Sequence, residues 1–357
     1  MILVDLKDGQ GLGNQLWLIA SGIFIAKQKS RQLVIRNIDQ FFAKDLLTDK
    51  FFTEVQMFDP SLLEKEWYVF NPFPFINTKF NEFLYFRENE KFLDLFDMYE
   101  YIEIEGNYQS TTLINTPKIL KDYFDFSNNL RLENLPADLC LINVRGGDTL
   151  GLFKTPCVHL KYFYRCISTL KKDYPNIRFK IISDDYEFSK LILPDFEIIK
   201  GGIAEDFMNL QNANFLIISH SSFAFFPAYL SNTKNLVLAP YGWGSSKRIT
   251  ENHFWQGPCN FYEKFNFVNN NGEIIKNITY YQTVFNSNKD LIPPSKPMLS
   301  KRKFLKIKDV KNTWIGNKIG IKKDDKATLK DKIRRFLTLK IWLLRRNFYQ
   351  ITNKYSQ

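Results

Sequence analysis

Cysteine and histidine are scarce. The four cysteines, Cys140, Cys157, Cys166 and Cys259, form no Cys-x-x-Cys pair, and only three histidines are available to join them. A zinc cluster is therefore not expected, and a chain of 357 residues does not need disulfide staples. No stretch approaches the ~18 consecutive uncharged apolar residues of a membrane-crossing helix. Also missing are the Gly-x-Gly-x-x-Gly dinucleotide fingerprint, the Gly-Lys-Ser/Thr phosphate loop and the Gly-x-Ser-x-Gly nucleophile elbow, so a dinucleotide oxidoreductase, a phosphate-loop ATPase and a hydrolase triad all lose ground. The opening Met1-Ile2-Leu3-Val4-Asp5 reads as a strand entering a glycine loop rather than as a secretion signal, and a reducing, cytoplasmic location is the expectation.

What is present fits a globular protein of two domains: 45% hydrophobic, 24% charged and an unusually high 16% aromatic residues. Charge is unevenly placed. Of 49 Lys and Arg and 38 Asp and Glu, residues 296–357 hold 19 basic and 4 acidic ones. The tail is thus +15, and the 295 residues before it, with 30 basic and 34 acidic side chains, are −4. A nucleic-acid binder carries its excess on the folded body, so nucleic acid is not an expected partner. A near-neutral body with a cationic appendage points to an enzyme held on an anionic surface.

The pattern along the chain is α/β. Ile2–Leu6 reads as a strand, Asn14–Lys29 as a helix with Leu16, Ile19, Ala20, Ile23 and Phe24 on one side, and Gln32–Ile35 as the next strand. Residues 36–135 show no clear period, and a boundary is expected near Asn134-Leu135-Pro136. Beyond it, apolar strands at Leu139–Val144, Ile177–Ser183, Phe196–Lys200, Asn214–Ser219 and Asn235–Ala239 alternate with helices at Leu160–Lys172, Tyr186–Leu191, Ala204–Asn212 and Ser222–Leu230. That alternation predicts a mostly parallel sheet covered on both faces. The expected organisation is a first Rossmann-like domain (1–135), a second that binds the ligand (136–295), a cleft between them, and a basic tail (296–357).

Four short segments carry chemistry. Gly9-Gln10-Gly11-Leu12-Gly13-Asn14-Gln15 joins a strand to a helix, where Gly11 and Gly13 let backbone N–H groups approach an anion. Asn14 either caps that helix or orients a hydroxyl or phosphate. Asn143-Val144-Arg145-Gly146-Gly147-Asp148 closes a strand, with Arg145 suited to a diphosphate and Gly147 letting the loop close on it; an Arg145–Asp148 surface pair is the plainer reading. Ser183-Asp184-Asp185 ends the next strand, and Asp184, Asp185 and Asp206 are either ribose or base contacts or helix caps. In Ser219-His220-Ser221-Ser222-Phe223 two serines open a helix, either as a phosphate seat or as an N-cap.

In order, these segments resemble bacterial α-1,2-fucosyltransferases of glycosyltransferase family 11. The family's Gly-Gly-Leu-Gly-Asn-Gln loop is similar to Gln10-Gly11-Leu12-Gly13-Asn14-Gln15, and its Gly-Tyr-x-Gln-Ser element to Gly106-Asn107-Tyr108-Gln109-Ser110. The His-x-Arg-Arg-Gly-Asp-Tyr signature falls on Asn143 to Thr149, Ser-Asp-Asp on Ser183 to Asp185, Asn-Ser-Ser-Phe-Ser-Trp-Trp-x-Ala on His220 to Ala228, and Pro-x-x-Trp on Pro240 to Trp243. Arg145 is retained. Asn143 stands where the family has histidine, Gly146 where it has a second arginine, and Phe225 and Phe226 where it has tryptophans. The resemblance covers about residues 2–245 and implies a GT-B-like fold of two facing Rossmann-like domains. It also implies GDP-fucose as donor, inversion at the sugar and no required metal or cofactor.

Under that resemblance the catalytic candidates are Arg145, Asn14 and Asp8, the last as a base. The donor-binding candidates are Gly11, Gly13, Asn143, Gly147, Asp148, Asp184, Asp185, Asp206, Ser221, Ser222 and Phe223. The acceptor implied is an oligosaccharide hydroxyl. A different nucleotide sugar, another nucleotide-binding α/β enzyme and a noncatalytic glycan- or membrane-binding protein remain alternatives. In the tail, Leu329, Ile333, Leu337, Ile341, Leu344 and Phe348 recur at helical spacing among Lys330, Arg334, Arg335, Arg345 and Arg346, with Trp342 beside them. Such a helix either lies on an anionic membrane at the cytoplasmic face or packs on the enzyme's own first domain.

Overall fold

The computed structural model describes residues 1–7, 10–71, 90–105, 117–124, 135–147, 160–231, 236–240, 265–268, 273–275, 298–302, 336–337, 339–344 and 346–347. The first lobe is built on β1 (Ile2–Asp5), α1 (Leu12–Gln28), β2 (Leu33–Arg36), β3 (Val55–Met57), β4 (Trp67–Asn71) and β5 (Ile102–Ile104). The central strand β1 is parallel to β2 and β5 on either side, which is why Ile2, Leu3 and Val4 are all apolar. Ile2 and Val4 point into one core, and Leu3 joins Val34 and Trp67 on the opposite face. The chain returns to this sheet late: β13 (Met298–Arg302) pairs antiparallel with β4, completing the order β13-β4-β5-β1-β2-β3.

The second lobe contains β6 (Leu139–Val144), β7 (Arg178–Ser183), β8 (Glu197–Ile199), β9 (Phe215–Ile217), β10 (Val237–Pro240), β11 (Phe265–Val268) and β12 (Ile274–Ile275), in the order β12-β11-β10-β9-β6-β7-β8. Its described pairings are parallel except β11 with β12. Alternate residues of β6 serve the two faces. Leu139 and Leu141 enter the core shared with the first lobe, and Cys140, Ile142 and Val144 enter the far one. The chain therefore folds as two Rossmann-like lobes with a cleft between them, the two α/β units expected from its pattern in the GT-B-like arrangement that the resemblance implies.

Two helices join the lobes. α1 is buried on nearly every side, from Leu16 and Trp17 to Ile25, because it lies between its own sheet and the helix Ser222–Leu230 of the second lobe. Trp17 stacks on Phe225 with ring centroids 4.8 Å apart, and meets Phe226 edge-on at 5.0 Å. One continuous buried core consequently runs from Ile2 and Ile35 through Trp17 to Phe225, Leu216 and Phe265.

Candidate functional site

The candidate residues gather where three adjacent parallel strands of the second lobe end. β9, β6 and β7 are neighbours in the sheet and end at Ile217, Val144 and Ser183 respectively, with Ser219 two residues beyond β9 and Asn143 one residue before the end of β6. Carboxyl ends of such strands are where open α/β sheets take ligands. Asn143 is buried and its Oδ1 accepts a 2.6 Å hydrogen bond from the Ser219 hydroxyl, tying the two strand ends together. Ser183 Oγ donates to the Val144 carbonyl at 2.8 Å and accepts from the Asp185 amide, which ties the third. Tyr162 closes the arrangement from below, donating to the carbonyls of Ile218 and Leu238.

Arg145 extends from this frame with about a third of its side chain open to solvent. Its Nη1 lies 2.7 Å from Asp184 Oδ2. Asp184 Oδ1 also accepts from the Gly146 amide at 2.9 Å, so one carboxylate holds both the guanidinium and the loop that carries it. Gly147 has φ +32°, and a Cβ there would stand 2.5 Å from Asp184 Oδ2. At Gly146 a Cβ would meet Asp185 Cβ at 2.5 Å and Phe188 at 2.9 Å. An arginine at 146 does not fit this packing, so the single Arg145 is part of a consistent local design.

Asp185 is buried beneath the loop and caps the helix α5 (Tyr186–Ile192), its Oδ1 accepting from the Phe188 amide at 3.0 Å. Ser221 caps α7 (Ser222–Leu230), its Oγ accepting from Ala224 at 3.4 Å. Between them in the chain lies α6 (Ile203–Asn212), α4 (Leu160–Asp173) precedes α5, and α2 (Asp49–Glu54) and α3 (Pro117–Tyr123) belong to the first lobe. Ser222 and Phe223 form the half-buried first turn of α7, and Phe223 packs edge-on against Phe207 at 5.8 Å.

The glycine segment of the first lobe meets this turn. Gly13 lies so close to the backbone of Ser222 and Phe223 that a Cβ would fall under 3.0 Å from three of their main-chain atoms. Gly11 is the N-cap of α1, has no side chain to satisfy the first N–H groups, is exposed, and has open space where a side chain would go. Asn14 therefore sits in the first turn of α1 and is half-buried; it is not the cap. Gln15 was not singled out by its chemistry. It is buried, donates to the Gln40 carbonyl at 2.8 Å and accepts from the Phe42 amide, fixing the start of α1 against the following loop.

The start of α1, the start of α7 and Arg145 thus supply partial and full positive charge around one end of the second sheet. Among the candidates, Asp8 and Asp148 lie outside the described residues, as do the segments 106–110 and 241–243. Ser219 was visible as the first polar residue after an apolar strand, but its bond to Asn143 follows from strand register and could not be read from the sequence. Among the described residues no group of three or more His, Cys, Asp and Glu side chains could hold a metal ion.

Asp206 stands in the first turn of α6, beside Gly201 and Glu205, with Oδ1 buried and without a hydrogen-bond partner. Burial, aided by the Glu205 charge, raises its pKa from 3.8 to about 6. Below the unfolded value the carboxyl is protonated in both states, and above about 6 it is ionised in both. In between, only the native state holds the proton, so stability falls as pH rises through that window and the full penalty persists above it. For a half-exposed group the penalty is about 1 kcal/mol. Asp206→Asn is therefore expected to raise Tm by about 2–4 °C at neutral pH and to leave it unchanged near pH ~4, as calorimetric scans at the two pH values would show.

Comparison with known proteins finds similarity over part of the chain. The family model for glycosyl transferase family 11 matches residues 84–258. A curated relative, an alpha-1,2-colitosyltransferase of Escherichia coli, is 25% identical over 175 residues, covering 45% of this chain and 56% of the relative. The match thus spans little more than half of that relative's length. Among solved structures, the fucosyltransferase NodZ from Bradyrhizobium aligns at 16% identity over 64% of this chain and 92% of its own, with a TM-score of 0.39. The iron-containing glycosyltransferase TibC from enterotoxigenic E. coli aligns at 13% identity over 68% and 58%, with a TM-score of 0.35. At these scores the overlays add no weight to the assignment. The family match covers the segments that carry Asn143, Arg145, Asp184 and Ser221, so over residues 84–258, just under half of its length, the chain is similar to glycosyl transferase family 11.

Proposed function

We propose that the chain is an inverting glycosyltransferase that moves L-fucose from GDP-fucose to a hydroxyl, a galactoside 2-OH, of a surface-glycan or lipid-linked oligosaccharide. The observation that carries this reading is the convergence of Arg145, the start of α7 and the glycine start of α1 at the carboxyl ends of β9, β6 and β7. In such a transfer the acceptor oxygen attacks the anomeric carbon as the bond to the donor phosphate breaks, and negative charge grows on the departing diphosphate. In this reading Arg145 and the helix N–H groups would meet that charge and lower the barrier by being fixed before it develops.

Asn143, Gly147, Asp148, Ser221, Ser222 and Phe223 would shape the diphosphate seat, with Asp184 positioning Arg145 and Asp185 supporting the loop as a cap. Asp206 would contact the ribose or guanine. Gly11, Gly13 and Asn14 would present the acceptor side, and Asp8, next to that segment in sequence, is the candidate base that takes the acceptor proton.

No metal is required in this reading, because Asp184 is engaged by Arg145 and Gly146 and positive charge comes from the protein. The test is donor-dependent transfer by purified protein, with and without a chelator, alongside thermal shifts with GDP, NAD and ATP. GDP alone should raise Tm; at ~100 times its Kd the stabilisation is about 2.7 kcal/mol. Transfer should survive chelation. Stabilisation by NAD instead, or activity restored only by a divalent ion, would overturn the respective part. A colitosyl donor is the second reading, favoured by the relationship to the colitosyltransferase and by the altered residues at 143 and 146. A donor panel that includes both sugars separates the two.

A further inference from the structure

The tail contains a helix with two opposite apolar faces, and only one of them is covered. Residues 336–337, 339–344 and 346–347 are helical. On the inner face, Trp342 is buried and meets Phe188 of α5 edge-on at 5.2 Å, and Leu339 packs into the same core. Arg346 donates to the Leu191 carbonyl at 3.0 Å. The spacing 339, 342, 346 is that of one helical stripe, so these three fix the helix to the second lobe. Trp342 is thus the protein-side anchor, and the helix rests on the second lobe, not on the first.

The opposite stripe is Leu337, Ile341 and Leu344, again at helical spacing. Their exposures are 48%, 44% and 69%, and Phe336 beside them is 58% exposed under the ammonium of Lys340. Exposed large apolar side chains of this density on a short helix mark a contact surface. We propose that this stripe docks the second lobe onto an anionic lipid bilayer, with the helix lying in the plane of the interface.

Charge selects that occupant. The segment 296–357 carries +15, and in sequence Lys330, Lys332, Arg334 and Arg335 precede the stripe and Arg345 follows it. A second copy of the chain would bring another +15 to the same place, whereas anionic headgroups neutralise it. Among the described residues no helix is long and apolar enough to cross a membrane, which leaves an in-plane helix as the form this surface takes. The anionic cytoplasmic leaflet is the natural surface. This assignment is independent of the donor sugar.

The test is co-sedimentation of the full chain with vesicles of phosphatidylcholine alone and of phosphatidylcholine mixed with phosphatidylglycerol. The protein should bind the mixed vesicles, release at about 0.5 M salt and ignore the neutral ones. The variant Leu337→Gln, Ile341→Gln, Leu344→Gln should lose at least about tenfold in partitioning, with Tm unchanged because the inner face is intact. Leu344→Glu alone, at the most exposed position, repeats the comparison should the triple variant fold poorly. Equal vesicle binding by wild type and Leu344→Glu overturns the proposal. So does self-association in sedimentation velocity that the variants abolish without any vesicle binding, since that assigns the stripe to a second copy.

Discussion

Replacing Gly13 by valine is expected to separate the two lobes where α1 and α7 are in close backbone contact. A Cβ at this position collides with main-chain atoms of Ser222 and Phe223, and backbone cannot rotate aside as the end of a side chain can. Either α1 or α7 must move. Both are locked by the stack of Trp17 on Phe225 and by the continuous core around it. Overpacking of this kind costs about 1–3 kcal/mol and occasionally more, and a rigid backbone contact belongs at the upper end. The expected readout is a Tm lower by about 5–10 °C, with loss of the native Trp17 environment in near-ultraviolet circular dichroism and transfer activity reduced beyond detection. Gly11→Ala is the matched control: open space lies beside it, so stability should change by less than about 0.5 kcal/mol.

Arg145→Ala should leave the fold in place and reduce kcat/KM for the donor by about 10²–10³-fold, the range seen when one preorganised donor to a developing negative charge is removed. The fold persists because the guanidinium is partly open to solvent and Asp184, which it pairs with, keeps its bond to the Gly146 amide. Arg145→Lys should recover little of the loss. A lysine offers a point charge in place of the planar fork, and it cannot hold Asp184 and a phosphate oxygen together with the same geometry. The companion Asp184→Asn should reduce activity less than Arg145→Ala, because an amide still accepts from Gly146 but no longer aligns the arginine. Steady-state kinetics at subsaturating donor measures both.

The second lobe was largely legible from sequence because each element is long enough to show its period. β6 and α7 fall at Leu139–Val144 and Ser222–Leu230 as read, and the α4 and α5 helices differ by one residue at their ends. The α1 helix starts two residues before the expected Asn14, because Leu12 and Gly13 look like loop in a glycine-rich run and become helix when packed on α7. In the first lobe, β3, β4 and β5 are three to five residues long and alternate with short 3₁₀ turns such as Ile38–Gln40 and Pro60–Glu64, too short for any period to emerge. β13 was hidden for another reason. Met298–Arg302 is a basic stretch whose strand character comes from pairing with β4 more than 200 residues earlier.

At the site, residue types were readable and their partners were not. Asp185 and Ser221 offered both a cap and a ligand reading, and the structure uses both as caps. The bond between Asn143 and Ser219 and the fit of Gly146 over Phe188 depend on which strands are neighbours, information that a single sequence does not carry.

Hydrogen–deuterium exchange on the intact chain, with and without saturating GDP, tests the proposed seat most directly, since it needs no substitution and reports on position. Slowed exchange is predicted in three separate stretches of sequence that the fold brings together: residues 10–16, 143–147 and 219–225. ADP at the same concentration should produce little change. Protection by GDP confined to other segments, with these three unaffected, would contradict the placement of the donor at the ends of β9, β6 and β7.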